Sequence, residues 1–204
     1  MIKNIIFDWS GVIRDYVEIQ LLTVNKVFKQ FGAKEITLEE FKKEWRQPYM
    51  VFYNKYLPDL TLEEETDAYR KAILGCPEAK PFPGIIELIH QFKKVGKKMV
   101  VLSSDFSETL LPEIESFGLK NIFDEVITDS HNKEDEIYGL MARNNFKKEE
   151  TVFVGDSNHE IEVGKKIGIK TIAVTWGFCL EENLKTHNPD FLVRSLKELK
   201  DVIL

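Results

Sequence analysis

The amino-acid sequence predicts an α/β protein: a Rossmann-like, doubly wound parallel sheet with a small all-helical cap inserted after the first strand. Three observations lead to this fold class. Short, uninterrupted apolar runs recur along the chain, and each ends at a polar residue or a glycine. Patterns with helical spacing alternate with these runs. Residues 15–82 interrupt the alternation and contain helical patterns alone. Strands and helices that alternate through short links favour an open sheet covered by helices.

Four apolar runs predict buried strands. Residues 5–7 form the first run, which ends at Asp8 and is followed by Gly11. The other runs are residues 99–102, 151–154 and 170–174. Strands of a parallel sheet are covered on both faces, so their sequences are continuously apolar instead of alternating. We therefore expect these four runs to form one parallel sheet.

Apolar residues at helical spacing predict the helices that connect these strands. Three patterns cover residues 85–92, 110–117 and 161–167, and glycines follow the last two. A further helical stretch, residues 134–145, leads into the third strand. Ser195 and Glu198 have the spacing of a capping box, so we expect them to open the last helix.

The segment of residues 15–82 is predicted to be a separate helical cap. Residues 17–31 have the pattern of one long amphipathic helix. Two pairs with capping-box spacing predict two further helices: Thr37 with Glu40, and Thr61 with Glu64. Prolines and a glycine at 81–84 end the segment. We therefore expect a core of residues 1–14 and 83–204 and a cap at 15–82 without strands.

Composition excludes several classes of function. The 204 residues include 28 Lys and Arg against 34 Asp and Glu, which gives a net charge of −6. Such an acidic chain lacks the basic surface typical of nucleic-acid or anionic-membrane binding. No apolar run is long enough to span a bilayer. Cys76 and Cys179 lie far apart and form neither a disulfide framework nor a zinc motif. We expect a soluble, cytoplasmic protein that binds neither nucleic acid nor membrane.

Three polar residues directly follow predicted strands. Asp8, Ser103 and Asp156 stand just beyond the first, second and third strands. Open parallel sheets bind ligands at the carboxyl ends of their strands, so these side chains are expected to converge. Two carboxylates brought so close repel each other unless a cation lies between them. Mg²⁺ prefers such oxygen ligands and is often completed by a substrate phosphate.

Lys133 and Glu160 complete the predicted site. Lys133 stands at the start of the helical stretch that leads to the third strand, and it offers a positive charge for an anionic oxygen. Glu160 follows Asp156 by one helical turn, so it can reach the water shell of a metal ion or orient Lys133. A carboxylate nucleophile, a cation, a hydroxyl and a lysine together favour phosphoryl transfer.

Four segments, in order, resemble motifs of the haloacid dehalogenase superfamily of phosphohydrolases, in its phosphoglycolate-phosphatase-like branch with a helical cap. They are IIFDWSGVIRD (5–15), VVLSS (100–104), NKEDEIY (132–138) and VFVGDSNHEI (152–161). The resemblance implies that Asp8 is the nucleophile and forms an aspartyl phosphate with a small phosphorylated substrate. It implies that Ser103, Ser104 and Lys133 bind phosphate. It further implies that Asp8, the Ser10 carbonyl and Asp156 hold Mg²⁺, with Glu160 supporting the metal shell.

Ser10 departs from the family pattern. Phosphatases of this family carry a second Asp at that position as general acid and base, a role worth about 10²–10⁴ in rate. Three consequences remain open. The enzyme is slow or restricted to good leaving groups; another residue, with Asp105 and His159 as candidates, takes over the role; or the protein has lost hydrolysis and only binds phosphate and metal.

A fourth alternative is hydrolysis of a C–P bond. The segment Asp8-Trp9-Ser10-Gly11 is similar to the first motif of phosphonoacetaldehyde hydrolases, which also lack the second Asp. Those enzymes need a cap lysine that forms a Schiff base. The cap offers several lysines, but none lies in a matching context: Lys26, Lys29, Lys42, Lys43 and Lys55. The sequence predicts no particular oligomeric state.

Overall fold

The computed structural model describes residues 1–130 and 132–204. The strands are β1 (Asn4–Phe7), β2 (Arg14–Asp15), β3 (Lys80–Pro81), β4 (Lys98–Leu102), β5 (Glu125–Ile127), β6 (Thr151–Gly155), β7 (Lys170–Val174) and β8 (Phe191–Val193). The helices are α1 (Val17–Gln30), α2 (Leu38–Glu44), α3 (Tyr49–Tyr56), α4 (Leu62–Ile73), α5 (Ile85–Lys94), α6 (Ser107–Ser116), α7 (Lys133–Asn144), α8 (Asn158–Ile167), α9 (Glu181–Thr186) and α10 (Leu196–Ile203). A single 3-10 turn, Lys148–Glu150, precedes β6.

A six-stranded sheet forms the centre of the protein. Its strand order is β5-β4-β1-β6-β7-β8, and every neighbouring pair is parallel. All residues of β1 and β6 are buried, because helices cover both faces of the sheet. The predicted α/β fold with a doubly wound parallel sheet is confirmed.

β1 lies between β4 and β6, and this position determines where the site forms. Ile6 pairs with Val100 of β4 on one side and with Phe153 of β6 on the other. The chain leaves β1 at Phe7 and continues into the loop at Asp8. From β1 the sheet continues through β4 on one side and through β6 on the other, so the connections on the two sides leave in opposite directions. The carboxyl ends of β1, β4 and β6 therefore border the crevice where such sheets bind ligands.

Two strands of the sheet were not predicted. β5 and β8 each have three residues and form the two edges of the sheet. All three residues of β5, and the first two of β8, are only partly buried. An edge strand is covered on fewer sides, so its sequence lacks the continuous apolar run by which the four inner strands were recognised.

The expectation that residues 15–82 contain no strand is wrong at its two ends. β2 and β3 pair antiparallel, with Arg14 opposite Pro81 and Asp15 opposite Lys80. This two-residue ribbon joins the points at which the chain leaves and re-enters the central sheet. Two residues are too few to show a periodicity in sequence, so the ribbon has no signal of its own. The exact division into core and cap stays a prediction.

Between β2 and β3 the chain forms four helices. The predicted capping boxes at Thr37 and Thr61 both form and open α2 and α4. α3 was not predicted, because Pro48 stands at its N-cap and no capping box precedes it. At the other end of the chain, Ser195 accepts a hydrogen bond from the Glu198 amide and opens α10, as predicted.

An aromatic cluster joins the cap helices to the core. Trp45 lies against Phe178 of the core, with ring centroids 5.4 Å apart, and against Phe52 of α3 at 5.2 Å. Phe41 of α2 approaches the edge of Phe52 at 5.7 Å. These rings are almost fully buried, so burial of large apolar surface holds the cap over the carboxyl ends of the strands. Among the described residues, no helix is both long and apolar enough to cross a membrane.

Candidate active site

The structure brings the three residues that follow the inner strands to one edge of the sheet. Asp8 follows β1, Ser103 follows β4 and Asp156 follows β6. The Asp8 amide donates to the carbonyl of Val154 at 2.9 Å, which extends the pairing of β1 and β6 to the site itself. All three residues are at least nine-tenths buried, and all three line one cavity.

Asp8, Asp156 and Glu160 form a buried acidic cluster. One carboxylate oxygen of each lies within 4.8 Å of the others. The Asp156 carboxylate accepts a hydrogen bond from the Phe178 amide at 2.6 Å. Gly11 makes room for it: a Cβ there would lie 2.0 Å from Asp156 Oδ2, and the backbone has φ +82°. Only glycine combines this left-handed conformation with so close an approach.

Lys133 lies between two of these carboxylates. Its Nζ is 3.1 Å from Asp8 Oδ2 and 2.7 Å from Glu160 Oε1. The other oxygen of Glu160 accepts from the Ser157 hydroxyl at 2.6 Å and from the Ser157 amide at 3.2 Å, which forms the capping box of α8. Glu160 is therefore fixed by its own helix and in turn fixes the lysine.

The electrostatics of this cluster favour a cation. Burial, together with the charges of Asp8 and Glu160, raises the pKa of Asp156 well above its usual range. Burial raises the pKa of Asp8 to about 7, although the Lys133 ammonium opposes this. Burial would lower the pKa of Lys133, but Asp8 and Glu160 raise it above its usual value. Three buried carboxylates with one ammonium leave a negative excess, which a divalent ion bound to carboxylate oxygens would neutralise.

A second polar network lies beside the cluster. Asp105 Oδ2 accepts from the Ser10 hydroxyl and from the Ser103 hydroxyl, each at 2.8 Å. Arg14 Nη1 lies 3.3 Å from Asp105 Oδ1 and 3.2 Å from Ser10 Oγ. The other guanidinium nitrogen, Nη2, pairs with Glu113 at 2.9 Å. Ser10 and Ser103, from the ends of β1 and β4, are thus bridged by one carboxylate that an arginine holds in place.

A cavity of about 290 Å³ opens above these groups, between the strand ends and the cap. Asp8, Ser10, Ser103, Ser104 and Asp156 form its floor. Its upper walls come from the cap and from loops of the core, and they are rich in aromatic side chains: Tyr16, Trp45, Tyr49, Tyr53, Tyr69, Phe106 and Phe178. The size suits a small substrate.

Comparisons with known proteins agree with this geometry. Residues 5–174 match the family described as haloacid dehalogenase-like hydrolase. The chain belongs to the haloacid dehalogenase-like hydrolase family. It is similar to the pyrophosphatase PpaX of Halalkalibacterium halodurans, with 26% identity over 99% of this chain and 97% of that protein. It is 24% identical to the phosphoglycolate phosphatase of Synechococcus elongatus, over 98% of this chain and 97% of that protein.

A solved structure supports the same fold. A haloacid dehalogenase-like family hydrolase from Streptococcus pneumoniae has a TM-score of 0.83 and 20% sequence identity, and it covers 100% of this chain and 99% of that one. The prediction that this protein is a hydrolase of the haloacid dehalogenase family is therefore confirmed, and its similar relatives are named as phosphatases.

Within this haloacid dehalogenase-like hydrolase, the other predicted residues fall as follows. Ser104 lines the cavity beside Ser103. Gln47 and Tyr49 of the cap, which the sequence analysis did not single out, also line it. His159, one candidate for the missing acid, is not among the described residues that line the cavity. Asp105, the other candidate, lines the cavity and contacts Ser10 directly.

Sequence reasoning missed several residues of the site. Arg14 and Glu113 belong to its network, but no spacing in sequence connects them. Glu65 of α4 is a buried carboxylate in the cavity wall, only 3% exposed. The first turn of its helix contains three consecutive glutamates, 63–65, so composition alone does not separate Glu65 from its solvated neighbours. The one available signal is helical spacing: Glu65 precedes Ala68, the other buried residue of α4, by about one turn, so both lie on the same face of the helix.

Proposed function

We propose that this protein is a Mg²⁺-dependent phosphatase that hydrolyses small phosphate esters through an aspartyl phosphate on Asp8. One observation supports it above all others. The Asp8 carboxylate lies at the floor of a cavity, beside one buried lysine and two further buried carboxylates. Haloacid dehalogenase-like membership and relatives named as phosphatases favour the same activity.

The oxygen donors fit Mg²⁺. Asp8, Asp156 and Glu160 offer carboxylate oxygens at mutually short distances, and this hard, purely oxygen-based set suits the ion. Asp8 and Asp156 would hold it, with the Ser10 carbonyl as a third protein contact and Glu160 behind them. When bound, Mg²⁺ supplies positive charge that neutralises the phosphate oxygens.

The protein side chains then divide the chemistry. An oxygen of Asp8 attacks phosphorus, the bond from phosphorus to the leaving oxygen breaks, and the phosphoryl group remains on Asp8. Lys133, between Asp8 and Glu160, neutralises charge on the phosphate oxygens. Ser103 and Ser104 provide hydroxyl donors on the side of the β4 strand end. Attack of water on the aspartyl phosphate then releases phosphate and restores Asp8.

Asp105 and Ser10 handle the protons in place of the missing second Asp. The attacking water passes a proton to Ser10 Oγ while Ser10 passes its own to Asp105, along the 2.8 Å hydrogen bond that links them. Arg14 Nη1 lies 3.3 Å from Asp105 Oδ1 and holds this carboxylate beside Ser10. The proton that Asp105 gains in the water step returns through Ser10 to the leaving oxygen in the next turnover.

The nucleophile is tested with the substitution Asp8→Asn. Wild-type protein with Mg²⁺ is expected to hydrolyse acetyl phosphate and p-nitrophenyl phosphate, and Asp8→Asn is expected to lose about 10³-fold or more of kcat/KM, because an amide is a poor nucleophile. Initial rates of phosphate release measure the effect, and circular dichroism verifies folding. Turnover unaffected by the substitution would refute the assignment of Asp8.

The base is tested with Asp105→Asn. We expect hydrolysis of acetyl phosphate to slow by about 10²–10⁴, because water attack loses its proton acceptor. The slow step is then hydrolysis of the aspartyl phosphate, so a stoichiometric burst of acetate should precede slow steady-state release of phosphate. Asp129→Asn, which changes another carboxylate in the cavity wall, is the matched control and should show no burst. Equal rates and no burst in Asp105→Asn would contradict the role.

The alternative of C–P hydrolysis has less support. A Schiff base with the substrate needs a lysine in the cavity, and no lysine of the cap is among the described residues that line it. Lys26, for example, bonds to the carbonyl groups of Ala72 and Gly75 on the cap itself. A protein that only binds phosphate and metal would give no burst and no turnover in the two experiments above.

A further inference from the structure

The cap end of the cavity contains a buried carboxylate with no positive partner. Glu65 lies on α4, is 3% exposed and lines the cavity. Among the described residues, no basic side chain lies within ion-pair distance of it. A carboxylate removed from water without a counter-charge costs several kcal/mol, so it is rarely retained for stability alone. Its position in a substrate cavity indicates a ligand that compensates this cost.

A second unsatisfied group adjoins Glu65. The Tyr53 hydroxyl is buried and has no hydrogen-bond partner of normal geometry among the described residues. Burial, with the Glu65 carboxyl close by, raises the pKa of Tyr53 well above its usual range, so the hydroxyl stays protonated and able to donate or accept. The Glu65 carboxyl and the neighbouring Tyr53 hydroxyl, both in the wall of one cavity, form the polar part of a binding position.

Aromatic faces complete this position. The rings of Tyr49 and Tyr53 meet nearly at right angles, 86°, with centroids 6.4 Å apart. Burial and the charge of Glu65 also raise the pKa of Tyr49, which indicates that the carboxylate lies near both rings. Tyr49, Tyr53 and Glu65 all line the cavity, and aromatic rings beside a carboxylate form the kind of site that binds an ammonium group, through the ring quadrupoles and the opposite charge.

The same cavity is poorly suited to an anionic leaving group. The described residues that line it include five carboxylates, namely Asp8, Glu65, Asp105, Asp129 and Asp156. They include one cation, Arg70, which is half-exposed, stacks on Phe106 at 4.0 Å and lies 3.8 Å from Glu108. Arg70 is thus at the rim and already paired, and no other described residue that lines the cavity offers positive charge to a carboxylate or a second phosphate.

We propose that the substrate is a phosphate monoester whose leaving group carries a protonated amine, and that Glu65 with the Tyr49 and Tyr53 rings binds this amine. The proposal rests on the proposed function, because it places the phosphoryl end at Asp8 and the amine at the opposite, cap end of one cavity. The proposed substrates are therefore aminoalkyl phosphates. They differ from phosphoglycolate and pyrophosphate, the compounds in the names of similar proteins, because the leaving groups of those two compounds are anionic.

The pKa of Glu65 is consistent with a charged ligand. Burial raises it to about 7, against a smaller opposite effect of the Tyr53 hydroxyl. An ammonium group at hydrogen-bond distance favours the ionised form, so amine binding and ionisation of Glu65 stabilise each other.

The experiment compares three esters of nearly equal size that differ in one group: 2-aminoethyl phosphate, 2-hydroxyethyl phosphate and carboxymethyl phosphate. Wild-type protein with Mg²⁺ is expected to prefer the amine over the hydroxyl compound by about tenfold or more in kcat/KM, with the carboxylate last. In Glu65→Gln the ratio of amine to hydroxyl should fall to within about threefold. Tyr49→Leu removes one ring from the half-buried side of the site and should lower the ratio by several-fold.

Controls separate this proposal from the proposed function. Glu63→Gln removes an exposed carboxylate two residues away on the same helix and should leave the ratio unchanged. Acetyl phosphate tests the phosphatase activity itself, because its leaving group contains no amine. Turnover of acetyl phosphate without preference for the amine, or a preference that Glu65→Gln retains, overturns the amine proposal alone. If no ester is hydrolysed, the same ranking is measured as Kd by calorimetry with Mg²⁺, and equal affinities for the three esters overturn it.

Discussion

The buried carboxylate of Glu65 destabilises the folded protein, although it suits a ligand site. An apolar side chain at this buried place would cost the folded state nothing, whereas a carboxylate must either lose water or gain a proton. The titratable groups close to it are Tyr49 and Tyr53 of α3, and burial raises the pKa of each above its usual value. Neither of them titrates near neutral pH, so Glu65 dominates the local response to pH.

Glu65→Gln should therefore stabilise the protein in a pH-dependent way. The pKa of Glu65 is about 7 in the folded protein and 4.5 in its usual environment. Above pH 7 the carboxylate is charged in both states and the folded state bears the full cost; near pH 4.5 that cost disappears. We expect Glu65→Gln to raise the free energy of unfolding by up to about 3 kcal/mol at pH 8 and by little at pH 5.

Urea denaturation of both proteins at pH 5 and pH 8 measures this difference. Groups elsewhere titrate equally in the two proteins, so they cancel in the comparison. Glu63→Gln is again the control, because that carboxylate is exposed and should show no such pH dependence. A gain of equal size at both pH values would mean that Glu65 is not the titrating group.

At the scale of elements, the capping boxes are where the sequence was most informative. Thr61 accepts from the Glu64 amide at 3.2 Å, and its own amide donates to the Glu64 carboxylate at 3.0 Å. These bonds satisfy donors that the first turn of α4 leaves unpaired, so the pattern acts locally and is readable without a fold. α4 begins where the pattern predicts, and it carries Glu65 into the cavity wall.

Thr61→Ala should destabilise the protein by about 1 kcal/mol, because the N-cap oxygen is lost. Thr61→Ser retains the acceptor and should remain within a few tenths of a kcal/mol of wild type. Urea midpoints at constant slope measure both variants. If the Ala and Ser variants were equally stable, the cap would contribute nothing to α4.

Elements without a local signal were missed. β5 and β8 are short edge strands, and α3 begins at a proline without a capping box. Their residues adopt these conformations because the neighbouring strand or the aromatic cluster of the cap is already in place. Such elements are stabilised by tertiary contacts, which a window of sequence does not contain.

At the scale of the whole molecule, the acidic cluster links metal binding to stability. Asp8 is far in sequence from Asp156 and Glu160, which stand four residues apart, and folding brings carboxylate oxygens of all three within 4.8 Å of one another. An ion that binds this cluster binds the folded state and not the unfolded one, so it stabilises the protein by mass action.

Mg²⁺ should therefore raise the Tm. At a concentration of about 100 times Kd the expected stabilisation is about 2.7 kcal/mol, and a chelator should reverse it. Thermal unfolding at matched ionic strength measures the effect, and Asp156→Asn, which removes one ligand, should abolish most of it. If Mg²⁺ does not change the Tm of the wild-type protein, the metal site is contradicted.

The sequence by itself determined the inner strands, most helices, and the ordered residues Asp8, Ser103, Lys133 and Asp156. Each of these is specified locally, by a continuous apolar run, a helical period or a motif at a strand end. Only the tertiary structure decided that Asp105 accepts hydrogen bonds from both Ser10 and Ser103 while it pairs with Arg14. It also decided that Glu65 lines the cavity and is not exposed to solvent. Desolvation and ion pairing depend on what surrounds a side chain in space, and that information is absent from spacing along the chain.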